Sequence, residues 1–299
     1  EALDIYLKLL PEVPETAAEN LDEIGEFFLY IDSKNAEKSF LKALNLYRGL
    51  AEQNSKVYNI DVASILIQLE SIYIVNGRLE DAKKAHLEAS NISQTLKGQY
   101  LEQFQTLQLI VLTDLGEHFM VAQEFGKSLN FYGEAMALCH SNAKSSDNSD
   151  DYFLNWQLII LQQVRMLKDS TAKRRQYDIA IRATLLLAES TEKMQRLSPE
   201  LNAVLYYGSL SWYYLFTRQY PDAAKAAEKT LSLDPTQNWV RTNLGHAWLL
   251  QGKWEKAQQV YEEYLKNETN PARAKNALLT DWDDLANAGV THADMAKAK

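Results

Sequence analysis

Five histidines, His86, His118, His140, His246 and His292, and one cysteine, Cys139, are the side chains of this 299-residue chain best suited to metal or nucleophilic chemistry. They are scattered along it. No His-Glu-x-x-His or Cys-x-x-Cys spacing occurs, so nothing brings several ligands onto one helix face or one turn as a zinc site requires. Cys139 directly precedes His140, but neighbouring positions on a helix point in different directions, so the two do not form a nucleophile and its base. A partly buried thiol is expected instead. Asp114 stands one helical turn before His118, a spacing that can orient an imidazole but that equally gives an exposed polar pair, and we read it as the latter. Asp281, Asp283 and Asp284 gather negative charge near the C-terminus and read as a solvated helix face. Neither a glycine-rich phosphate loop nor a Gly-x-Ser-x-Gly elbow is found. The expectation is a chain with no catalytic residues, no metal and no cofactor: not an enzyme.

The elements that would carry these residues are helices. Hydrophobic residues make up 46% of the chain and charged residues 24%, the balance of a folded protein. No proline lies between Pro14 and Pro199, so the commonest helix breaker is missing from most of the length. The formal charge of -9 and the pI near 5.2 oppose binding to nucleic acid, which is driven by Lys and Arg displacing counterions, and oppose an acidic membrane surface likewise. One cysteine makes no internal disulfide, which fits the cytoplasm. No apolar run reaches the roughly 18 residues that cross a bilayer, and no leader pattern opens the chain. The chain begins within a helical pattern, Glu1 to Leu7, with no cap before it, so we expect it to be a piece of a longer protein.

An internal repeat organises the sequence. In Leu244-Gly245-His246-Ala247-Trp248, then Gly252-Lys253-Trp254, then Ala257 to Tyr261, small and apolar residues recur at helical spacing on either side of a glycine turn. This predicts a helix hairpin. The same arrangement precedes it by 34 residues, with Tyr207, Leu210, Ser211 and Tyr214 on a first helix and Tyr220, Ala223 and Pro235 after the turn. These residues resemble the tetratricopeptide repeat, whose 34-residue signature sets a large residue, Leu-Gly and an aromatic on one helix and Ala, an aromatic and Ala on the next.

Earlier units follow the pattern at longer spacing. One runs through Leu66, Leu69 and Tyr73, the turn Asn76-Gly77-Arg78, then Leu79, Ala82 and Ala89; another runs through Leu112, Leu115, Gly116 and Phe119, then Phe125, Ser128, Tyr132 and Ala135. The wider spacing implies helices extended by one or two turns, as in kinesin light chains, which this region resembles in architecture. A weaker unit passes through Leu21, Ile24, Gly25 and Phe28, then Ala36, Phe40 and Ala43. An irregular one pairs Trp156, Ile159, Ile160 and Val164 with Tyr177, Ala180 and Leu187 across an expanded turn at Ser170 to Arg175, after a polar loop at Ser145 to Asp151 that is the expected hinge.

The resemblance implies an all-α fold, an α-α superhelix built as a right-handed solenoid of antiparallel helix pairs with a C-terminal capping helix. A single array over 1–299 is expected: a half repeat at 1–14 through Ala2, Tyr6 and Leu9 and closed by Pro14; repeats at 17–50, 63–96, 109–142, 152–196, 204–237 and 238–271; and a cap and tail at 272–299. The cap follows from Ala277, Leu278, Trp282, Leu285 and Ala286 at amphipathic spacing.

The small residues Gly116, Ser211, Gly245, Ala82, Ala223 and Ala257 are expected where helices cross closely, with Tyr73, Phe119, Tyr214 and Trp248 filling space beside them. Function must therefore lie elsewhere. In repeats of this kind the first helices line the concave side, so the binding candidates are Gly208, Trp212, Tyr213 and Phe216, then Trp239, Thr242, Asn243 and His246. Aromatic side chains with polar groups beside them suit a peptide anchor. The alternative for Trp212 and Phe216 is packing against the irregular unit. A basic clamp for a peptide carboxyl terminus has only Asn243 and Arg241 in its favour and is not expected.

The function so read is a protein-interaction scaffold that binds a peptide or partner protein in the concave groove, with weak self-association through an open array end as a further property. The other reading is a regulatory or sensor region of a larger protein that carries an effector such as a caspase-like protease or a signalling enzyme.

Overall fold

The computed structural model describes residues 13–142, 150–194 and 202–298. Among these residues all regular structure is helical: α1 Pro14–Leu29, α2 Ser33–Gln53, α3 Ser55–Val75, α4 Leu79–Ser93, α5 Gln99–Val121, α6 Phe125–Asn142, α7 Asp150–Lys173, α8 Tyr177–Met194, α9 Val204–Phe216, α10 Tyr220–Leu233, α11 Val240–Leu250, α12 Trp254–Lys266, α13 Pro271–Asn287 and the short α14 Met295–Ala298. The chain forms two compact units, Glu1–His118 with Ala137–Ser145, and Phe119–Met136 with Ser146–Lys299. Inside each, a helix packs on its neighbours in sequence, α1 on α2, α2 on α3 and α3 on α4 in the first, and α7 through α12 in succession in the second. Turns of three residues within the helix pairs reverse the chain and make the pairs antiparallel. This is the packing of a helix-pair solenoid, in which apolar faces are buried only against adjacent elements.

One turn geometry recurs and explains the register. Arg78 N–H donates to Tyr73 O, Glu124 to Phe119, Gln219 to Tyr214 and Lys253 to Trp248, each across a residue at positive φ: Gly77, Gln123, Arg218 and Gly252. Each is a 6→1 closure of the Schellman type. The signature aromatics therefore also supply the carbonyls that close their own helices.

The small-residue positions answer to the facing helix. A Cβ on Gly25 would lie 2.5 Å from Cε1 of Phe40, and a Cβ on Gly245 would overlap the Tyr261 ring. Ala82, Ala223, Ala257 and Ser211 are buried. The first helices of the earlier units are long, 21 residues in α3 and 23 in α5, against 13 in α9 and 11 in α11, which accounts for the wider spacing of the early repeats.

Local expectations are corrected by the helix boundaries and burial. Pro14 is the first residue of α1, a first-turn proline behind Val13, where its missing N–H costs nothing. The rest of the expected half repeat, 1–12, lies outside the described residues. Ser170 to Arg175 is no expanded turn, because α7 runs to Lys173 and Gln176 N–H donates to Thr171 O across Arg175 at φ +58, the closure found in the other units. The preceding polar run mostly falls at 143–149, outside the described residues, and Asp150 already begins α7. On α7 the buried stripe is Phe153, Gln157, Ile160, Val164, Leu167 and Thr171, whereas Ile159 is 47% exposed. Two polar residues, Gln157 and Thr171, stand in this stripe, and Thr171 Oγ1 donates to Leu167 O, so polarity alone misreads the face.

Helix α13 buries Ala274, Leu278, Trp282 and Leu285 as a cap, with Ala277 and Ala286 on its outer side. Asn270 caps its start by accepting from Arg273 N–H at 3.1 Å. Helix α3 is long and apolar enough to cross a membrane by length and composition, contrary to the expectation that no segment would be. Ten of its residues are buried within the protein, as suits a core helix.

Candidate functional site

Three helices of the second unit turn the same kind of face toward one hollow. Ser209, Trp212 and Tyr213 on α9, Trp239 at the head of α11 with Thr242 and Asn243 on it, and Ala277 and Asp281 on α13 are spaced by three or four residues within each segment, so each set lies on one helix face. With Tyr264 of α12 they enclose about 340 Å³.

The hollow is held open by specific contacts. Gly208 lets the Trp239 indole lie on the α9 backbone, since a Cβ there would come within 2.6 Å of the indole Cη2. Trp239 is still 42% exposed, and its Nε1–H donates to Gln237 Oε1 at 2.9 Å. Asn243 is buried, and its Nδ2 donates at 2.8 Å to the hydroxyl of Ser211, which itself donates to Gly208 O. A signature position on α9 thus fixes a side chain on α11. Burial pushes the Tyr213 phenol up to about 12 and raises that of Tyr264, so both rings meet a ligand protonated.

Asp281 is the one charged residue of the lining. Its Oδ2 lies 3.2 Å from Nε2 of His246, which is fully buried, and Nδ1 of His246 is 2.8 Å from the Tyr261 hydroxyl. A carboxylate accepts only, so Nε2 carries the proton and Tyr261 donates to Nδ1. Burial lowers the His246 pKa below the ordinary histidine value, against the opposing pull of Asp281, and the ring is neutral.

Of the eight sequence candidates, Trp212, Tyr213, Trp239, Thr242 and Asn243 line the hollow. Gly208 supports it from beneath Trp239. Phe216 stacks on Tyr177 of α8, centroids 4.4 Å apart, and meets Trp212 edge-on at 4.9 Å, which is the packing alternative raised for it. His246 lies in the core behind Asp281. Ser209, Tyr264, Ala277 and Asp281 were not singled out for this surface. Arg241 is engaged with Glu263 at 3.0 Å and with Pro235 O, and it does not face the hollow.

The other residues suited to chemistry are dispersed. His86 Nδ1 is 3.0 Å from Glu70, and burial pushes the Cys139 thiol up to about 12, far from a reactive thiolate. Asp114 pairs with Tyr30.

The arrangement defines a helix-repeat protein with an aromatic hollow between successive first helices. The tetratricopeptide repeat profile matches residues 217–279, a stretch that runs from the start of α10 into α13. Solved structures similar to it include BtubC (BKLC) from P. vanneervenii, 17% identical over 79% of this chain and 91% of that chain with a TM-score of 0.33. Yeast Tom70 is 15% identical over 84% of this chain and 60% of its own, with a TM-score of 0.34. The TPR2AB-domain:pHSP90 complex of yeast Sti1 is 12% identical over 93% of this chain and 100% of that chain, with a TM-score of 0.33. No curated protein matches the chain at a significant level.

Proposed function

We propose that the chain is a protein-interaction scaffold without enzymatic activity, and that the hollow between α9, α11 and α13 takes an anchoring side chain of a peptide or partner protein. The observation that carries this reading is the convergence of Trp212, Tyr213, Trp239 and Tyr264 around one concavity with Asn243 and Asp281 beside them. Aromatic rings supply large contact area at little conformational cost, and a few fixed polar groups set orientation. No Lys or Arg lines the hollow, so it suits an apolar or aromatic anchor with a hydrogen-bond donor toward Asp281 rather than a free carboxylate. A single buried thiol, which needs no oxidising compartment, supports a cytoplasmic setting.

The test is a positional peptide array probed with the parent chain and with a Trp212→Ala, Trp239→Ala double variant of equal helical content. The reading expects spots rich in apolar or aromatic anchors that the double variant loses. Identical patterns from both proteins would reject this hollow as the site.

A further inference from the structure

A second concavity belongs to the first unit alone. Gln68, Ser71, Ile72 and Val75 on α3 and Val111, Asp114, Leu115 and His118 on α5 share one spacing, i, i+3, i+4, i+7, so each set forms a continuous stripe, and the two stripes with the end of α1 enclose about 360 Å³. Asp114, Asp32 and Gln68 bring acceptor oxygens to it. Asp114 Oδ2 accepts a hydrogen bond from the Tyr30 hydroxyl at 2.8 Å, a bond that aims the carboxylate without neutralising it. Gln68, only 8% exposed, lines the hollow, and its Oε1 has no hydrogen-bond partner. Asp32 adds a second negative charge at the mouth, where its Oδ1 also caps α2 through Lys34 N–H and Asn35 N–H and its Oδ2 accepts from Asn35 Nδ2. No Lys or Arg lines the space, and its walls are apolar at Ile72, Val75, Val111 and Leu115.

A buried acceptor without a donor is costly, and an uncompensated carboxylate beside an apolar wall attracts a cation. Apolar walls below and carboxylates at the rim fit a side chain that has an alkyl stem and a charged head. We propose that this hollow binds an arginine or lysine side chain of a partner peptide, with its stem against Ile72, Val75 and Leu115 and its head at Asp114 and Asp32. The exposed Ile31 at the rim takes the apolar residue beside it in the peptide. The site is separate from the aromatic hollow of the second unit and stands or falls without it.

The probes are N-acetyl-Leu-Arg-Leu-amide and its citrulline counterpart, which has nearly the same shape without the charge, titrated into the whole chain with backbone amide shifts followed by NMR. The arginine peptide is expected to shift the amides of Gln68, Ser71, Asp114 and His118, and the citrulline peptide to bind roughly tenfold more weakly or not at all. Asp114→Asn should weaken the arginine peptide by about the same factor, and Gln68→Leu, which removes a buried unsatisfied group and so keeps the fold, should weaken it as well. Equal binding of the two peptides, unchanged affinity in Asp114→Asn, or shifts confined to other acidic surfaces of the chain would overturn the proposal. Methylguanidinium binding as tightly as the peptide would overturn a peptide as the occupant. In the Trp212→Ala, Trp239→Ala double variant these shifts should persist, which separates failure of this site from failure of the aromatic one.

Discussion

His246 Nε2 stands 3.2 Å from Asp281 Oδ2, and through that contact a buried ring of α11 fixes a carboxylate of α13 at the wall of the aromatic hollow. The ring itself is not accessible. Replacing His246 by Leu should cost about 2–4 kcal/mol in stability, because the Tyr261 hydroxyl is left buried without its acceptor. Chemical denaturation measures the loss, and Asp281→Asn, which keeps an acceptor for Nε2–H, should cost clearly less.

The two units should respond to pH in opposite directions. His246 has a lowered pKa, so the unfolded chain takes up the proton first; the stability this group contributes to the second unit is full above about 6.5 and is lost as pH falls below it. In the first unit, burial and then neighbouring carboxylates raise Asp22 to about 7, and burial leads in raising Asp61 to about 6. There the folded state holds the protons, so stability declines as pH rises from about 4 to 7. Hydrogen exchange resolved by residue across this range checks both slopes. Asp22→Asn should flatten the slope of the first unit and leave the second unchanged.

Enlarging the close-crossing position should damage the fold without reporting on binding. Gly245→Ala drives a methyl into the Tyr261 ring and should lower stability by about 1–3 kcal/mol in a thermal or denaturant melt. A neutral result would show that the two helices separate freely at that point.

The turns offer a gain. Arg175 holds φ +58, a conformation in which L side chains are strained and glycine is not, so Arg175→Gly should stabilise the second unit by about 0.5–1 kcal/mol, read as a raised denaturation midpoint.

The helix pairs were legible because their signals are local: a glycine or polar turn, a small residue and an aromatic at helical spacing. Gly245 announces a close approach from the sequence, and the structure supplies Tyr261 as the ring that requires it and adds the same relation between Gly25 and Phe40. The α7 stripe was misread because Gln157 and Thr171 occupy core positions whose polarity is satisfied inside the fold or held out of solvent.

Half of the aromatic hollow was legible for the same reason and half was not. Trp212, Tyr213, Trp239, Thr242 and Asn243 lie on first helices that the repeat register places, but Tyr264 and Asp281 reach the hollow from a second helix and from the cap, beyond any local spacing. Three residues along α11 from Asn243, His246 has rotated behind the lining, so that only its partner Asp281 reaches the surface. Asp281 looked like part of a solvated acidic face, and the buried histidine across from it marks it as part of the wall.

The central claim is that the aromatic hollow of the second unit is where a partner is held. Calorimetric titration of the tightest array-selected peptide into the parent chain and into Trp239→Ala tests it most directly, since Trp239 is partly exposed and its loss spares the core. The account predicts binding weakened roughly ten- to hundredfold, about 1.4–2.7 kcal/mol, with unchanged helical content. Equal affinity for the two proteins would contradict it.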